Sequence, residues 1–134
     1  MDFLSNKQDY IFKVIATVLF VISVLFAFYF DGTNGSGDTT THFLMAKYAW
    51  HHPYLFFDHW GKPVFTILSS PFAQLGFNYV KLYNVLMYFG AFTITLKFAG
   101  MIAPAYSWWA LPIFFCAPDA VGSMFSSLTE PTFA

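Results

Sequence analysis

The chain alternates long apolar runs with short polar breaks. Residues 10–30 read YIFKVIATVLFVISVLFAFYF, with Lys13 as the only charge. About 20 apolar residues rising 1.5 Å each span a bilayer core. In lipid, a single segment satisfies all its backbone groups only as a helix. The run therefore predicts a transmembrane helix, with Lys13 one turn from its start and able to extend its ammonium to the headgroups. The competing reading is a cleaved signal peptide, which has a shorter apolar core and small residues at the cleavage site. Here the run ends in Phe28, Tyr29 and Phe30 before Asp31 and Gly32, which argues against cleavage.

The stretch DGTNGSGD, residues 31–38, has loop chemistry. Residues 39–52 have helical character and stop at Pro53, because the residue before a proline disfavours the α region. Tyr48 and Trp50 among histidines and Lys47 suit a helix lying at the membrane interface. An aromatic and polar loop, PYLFFDHWGKP, fills residues 53–63. Residues 64–77 are apolar but too short to span, and predict a re-entrant or juxtamembrane helix broken by Pro71 and ended near Gly76. Residues 79–102 predict a second spanning helix, with Lys81 near its outer end and Lys97 near its inner end.

Further membrane segments occupy residues 105–134, with a short apolar run over 108–118 interrupted by Pro104, Pro112 and Pro118. Irregular backbone at membrane depth is tolerated only under protein cover or beside a water-filled cavity, so this part is expected to pack inside a larger bundle. The abrupt ending TEPTFA reads as truncation, making residues 1–134 the N-terminal part of a single polytopic domain. The expected fold is thus an all-α membrane protein: polytopic transmembrane helices with an interfacial helix in the first extracytoplasmic loop. Lys7 and Lys13 place the N-terminus in the cytoplasm by the positive-inside rule, and the loop over 31–63 outside it.

Composition agrees. The chain is 57% hydrophobic, 23% aromatic and only 10% charged, against about 25% charged for a soluble domain. All six basic residues are Lys, so the basic patch of a nucleic-acid binder is missing. A net charge of −1 excludes strong electrostatic attraction as the main theme. The single Cys116 cannot form an internal disulfide, and its ordinary role is that of a small apolar residue.

Few residues can carry chemistry. Asp38 follows the first membrane helix within a turn or two, in Gly-Asp-Thr-Thr-Thr-His. An Asp at a helix start ordinarily accepts hydrogen bonds from free backbone N–H groups and favours the positive dipole end. That role is compatible with a general base held at the membrane face. His42, four residues on, shares a helical face with Asp38 and is a candidate to orient it or touch a substrate; a plain interfacial histidine is the simpler alternative. His51, His52, Asp58 and His59 are of metal-ligating types, but their spacing matches none of the specific zinc patterns. The default is a polar loop at the membrane surface with no cofactor, and a divalent metal is the alternative. Lys62 is either a solvated loop lysine or a cation for an anionic headgroup or phosphate. Glu130 is the only Glu, and an acidic residue in an apolar setting is a functional candidate because burying it is costly.

Taken together, Gly37-Asp38, then Ala46 and Tyr48 to Trp50, then His59-Trp60-Gly61-Lys62-Pro63, and late Ser127-Leu128-Thr129-Glu130-Pro131 resemble polytopic glycosyltransferases of the GT-C type. That group includes the protein O-mannosyltransferases and the bacterial aminoarabinose transferases that modify lipid A. The resemblance implies an inverting transfer of a sugar from a polyprenyl-phosphate carrier to a glycan, lipid or protein acceptor on the extracytoplasmic face of the cell membrane. Asp38 matches the acidic residue that acts as base. Lys62, His59, His42 and Glu130 become substrate-binding candidates. Many relatives have Asp-Glu where this chain has Asp38-Thr39, and Lys-Pro-Pro where it has Lys62-Pro63-Val64. The competing functions are a transporter or flippase fragment, which would place polar residues near mid-membrane, and a non-catalytic membrane subunit.

Overall fold

A computed structural model describes residues 2–30, 37–117, 122–127 and 132, with side chains from residue 10 onward. Among the described residues all regular structure is helical, as the apolar periodicity requires. The first run becomes α1, Asp2–Tyr29. The second long run becomes α4, Phe77–Ile102. Between them lie α2, Gly37–Tyr48, and α3, Pro63–Leu75. A short 3-10 helix, Pro53–Phe57, joins α2 to α3.

Helices α1 and α4 form an antiparallel pair. Aromatic contacts set the register: Phe12 with Phe92 at 6.1 Å, Phe20 with Phe89 at 5.0 Å and Phe28 with Tyr79 at 5.4 Å between ring centroids. Such ring pairs are worth about 0.5–1.5 kcal/mol beyond the area they bury. Both helices are long and apolar enough to cross a membrane over Tyr10–Tyr29 and Phe77–Ile102. Only 11% and 22% of the residues in their most apolar windows are buried. The core helix of a soluble protein is mostly buried, whereas large apolar side chains on both helices, among them Ile22, Leu25, Ile94 and Phe98, stay exposed.

The end where α1 finishes and α4 begins is tied by polar contacts. The last carbonyls of a helix have no intrahelical partner and favour a cation. The Lys81 ammonium donates to the Phe30 carbonyl, and Asn78 Nδ2 donates to the Phe28 carbonyl at 3.5 Å. The Lys81 ammonium also lies 5.7 Å from the Phe30 ring centre and 5.2 Å from that of Phe77. Lys81 is fully buried, so its position near the end of the second apolar run does not put it in water.

Helices α2 and α3 form a cap on this end. Helix α2 stops at Tyr48, sooner than Pro53 alone predicts. The amides of His51 and His52 both return to the Tyr48 carbonyl, and Pro53 then opens the 3-10 helix. Helix α3 corrects the sequence expectation, because Pro71 does not break it. Proline removes the N–H that would bond to the carbonyl four residues back. Ser70 Oγ donates to that carbonyl, of Ile67, at 3.0 Å. The replacement donor lets the helix run on to Leu75. Gly76 then turns the chain into α4 with φ 125°, a conformation that side chains rarely adopt.

After α4 the chain reverses at Ala103 into a 3-10 helix, Pro104–Trp109, and α5, Ala110–Phe115. This segment returns along α4. Tyr88 donates its hydroxyl proton to the Phe114 carbonyl, and Asn84 Nδ2 donates to the Ser126 carbonyl at 2.6 Å. Two apolar clusters result. One, around Ala27, Val85, Tyr88, Phe89, Phe92 and Met124, joins the pair to the returning segment. The other, around Ala46, Phe65, Ala73, Val80 and Tyr83, fastens the cap.

Candidate functional site

The candidate residues that the structure describes belong to the cap. Asp38 lies in the first turn of α2 with its side chain exposed. Beside it, the stripe of α2 that carries Thr39, His42 and Ala46 is buried against α3. The α2–α3 seam is polar as well as apolar. Thr39, His42, Thr66, Ser69 and Ser70 are all buried, and the His42 and Phe65 rings lie 6.0 Å apart.

His42 does not use its ring nitrogens to hold Asp38. Its Nε2 stands 3.1 Å from the carbonyl oxygen of Trp60, 18 residues later. That contact draws the segment His59–Pro63 onto the helix that carries Asp38. Three further bonds fix the same segment. Trp60 N–H donates to Asp58 Oδ1 at 2.8 Å, Thr66 Oγ1 donates to the Gly61 carbonyl at 2.8 Å, and Thr66 N–H donates to the Lys62 carbonyl at 3.0 Å. Asp58 thus serves as a turn-forming carboxylate. His59 and Lys62 point outward and are exposed.

Lys62 is the only non-glycine residue with positive φ among the described residues, at φ 55°. It immediately precedes Pro63, the first residue of α3. A side chain in this region costs about 1 kcal/mol or more and persists where neighbours over-determine it. The bonds to Trp60, Gly61 and Lys62 do so here. Gly61 has no room for a side chain: a Cβ would stand 2.9 Å from Thr66 Oγ1 and 3.0 Å from Met45 Sδ. The exposed ammonium of Lys62 is therefore presented from a tightly held backbone.

The other candidates are less connected. His51 and His52 are exposed on the turn after α2. No three His, Cys, Asp or Glu side chains come together in a metal-binding group among the described residues. Glu130 lies outside the described residues.

Sequence reasoning passed over two buried polar side chains of α4. Lys81 and Asn84 are both fully buried, and both bind backbone carbonyls of other segments. Their spacing of three residues, on one face of a mostly apolar helix, was the available signal. Exposed Asp38 and Lys62 offer a carboxylate and a cation on one cap, which is chemistry suited to proton removal and anion binding. No family model, curated protein or solved structure matches the chain.

Proposed function

We propose that this chain forms part of an inverting membrane glycosyltransferase. It transfers a sugar from a polyprenyl-phosphate donor to a glycan, lipid or protein hydroxyl at the extracytoplasmic face. Helices α1 and α4 cross the membrane, the N-terminus is cytoplasmic, and the cap projects from the outer surface. Asp38 takes the proton from the acceptor hydroxyl as that oxygen attacks the anomeric carbon. The bond from that carbon to the donor phosphate breaks, and the polyprenyl phosphate leaves with its electron pair. Lys62 binds the phosphate.

One observation carries the reading: the bond between His42 and Trp60 joins the helix that opens with the Gly37-Asp38 motif to the His59–Pro63 motif, which is separate from it in sequence. It unites the helix bearing Asp38 with the segment bearing Lys62. The setting also suits a lipid-linked donor, whose phosphate is confined to the interface beside a membrane helix pair. Lys81 and Asn84 lie in the first two turns or so of α4, near one end. A transporter would concentrate such groups near mid-membrane.

The test is Asp38→Asn in the membrane protein, assayed for transfer from polyprenyl-phosphate sugars. General-base help is worth about 10²–10⁴ in rate. A loss of that size is expected, with expression and membrane insertion intact. Unchanged transfer would remove Asp38 from the mechanism.

A further inference from the structure

We infer that His42 is a positioning residue: with Thr66 it clamps the backbone of Trp60 to Lys62 and so sets the affinity of Lys62 for the phosphate of a polyprenyl phosphate. The inference rests on the proposed donor. It differs from the sequence expectation for His42, because the residue neither orients Asp38 nor touches substrate.

The tautomer follows from the geometry. A carbonyl oxygen can only accept, so the hydrogen at the 3.1 Å contact with Trp60 belongs to His42 Nε2. Nδ1 is then the bare nitrogen, buried and without a hydrogen-bond partner. The ring is 7% exposed and rests near Phe65, so it cannot swing to reach solvent without opening the α2–α3 seam. Thr66 supplies the second point through Gly61, and Gly61 is the residue for which a Cβ leaves no space. Between these fixed carbonyls and Pro63, the Lys62 backbone is held at φ 55°. Released from the clamp, Lys62 would relax to negative φ, and its side chain would leave from a different direction. The clamp thus acts on where the cation is aimed rather than on the chemistry of the phosphate.

The amide side chain of glutamine can place its nitrogen where Nε2 stands, while that of asparagine falls short, near Nδ1. His42→Gln, His42→Asn and His42→Leu therefore separate donation at Nε2 from burial of a ring. The probe is a polyprenyl monophosphate without sugar, titrated into the purified full-length protein in detergent. Backbone amide exchange over residues 59–62 is measured in parallel. The expected result is about a tenfold weaker affinity for His42→Leu and His42→Asn, matching the loss of one well-placed hydrogen bond, with faster exchange over 59–62. His42→Gln should stay within about threefold of the wild type in both readouts. Lys62→Ala should weaken binding, and His42→Leu should add nothing further in that background.

Unchanged exchange in His42→Leu would overturn the clamp. Faster exchange with unchanged affinity, or losses that add to those of Lys62→Ala, would overturn the positioning role. Should His42→Leu fail to fold, Thr66→Val removes the other fixed point and carries the same expectations. If the wild type does not bind the probe, the donor reading fails and the positioning claim falls with it. The exchange data then still decide whether the clamp exists.

Discussion

The helix pair and the cap are held together in different ways. The pair of α1 and α4 is joined by stacked and edge-on rings along its length, and its outward faces are bare apolar surface. The cap of α2 and α3 is held by a small apolar cluster and by side-chain bonds to carbonyls, from His42, Thr66 and Gln74. Ring contacts fix the register of the two helices through offset and edge-on packing of apolar surface, and they leave no polar group aimed at a set point. Hydrogen bonds to named carbonyls fix backbone position. Under the proposed function, a cation such as Lys62 gains from standing on the second kind of structure. The pair is thus joined mainly through apolar surface, and the cap through bonds to named backbone atoms.

Substitutions at the junction should separate these roles most strongly. Lys81 ties the start of α4 to the end of α1 and is fully buried. Lys81→Ala removes a charge-assisted bond, strands the Phe30 carbonyl and leaves a cavity, costing about 3 kcal/mol. The readout is the melting temperature of the detergent-solubilised protein, which should fall by several degrees. An unchanged Tm would mean that the ring contacts alone hold the junction.

Within the cap the effect should be local. Gly61→Val forces a side chain against Thr66 and Met45, at a cost of about 1–3 kcal/mol. Proteolysis should then cut more readily within residues 58–62 while the α1–α4 contact persists. Equal loosening of both regions would erase the distinction drawn between them.

The smallest effect tests α3. Ser70→Ala removes the hydroxyl that replaces the N–H missing at Pro71, and should cost about 1 kcal/mol. In a Pro71→Ala background the backbone N–H returns, and the same substitution should cost little. A double-mutant cycle on Tm reads the difference, and additive losses would refute the compensation.

The sequence announces the pair more clearly than the cap. An apolar run of spanning length has one helical solution, so α1 and α4 were legible from composition and length. Pro71 misled because a proline rule describes the backbone alone, and the compensating donor is the side chain beside it. Asp38 and Lys62 could be chosen as candidates from residue type and from the resemblance. Their joining through His42 could not, since it spans 18 residues and depends on how α2 crosses α3. Lys81 and Asn84 were missed because a polar residue near the end of an apolar run is also what a headgroup-facing residue looks like. Only the packing of the neighbouring segments distinguishes the two.

In the proposed arrangement the pair spans the membrane and the cap projects from its extracytoplasmic face. Labelling with a membrane-impermeant maleimide tests it directly, after Cys116→Ser removes the exposed native thiol. In that background His59→Cys should label in intact cells. Lys97→Cys, toward the opposite end of α4, should label only after permeabilisation. Reversed labelling, or equal labelling of both positions in intact cells, would contradict the account.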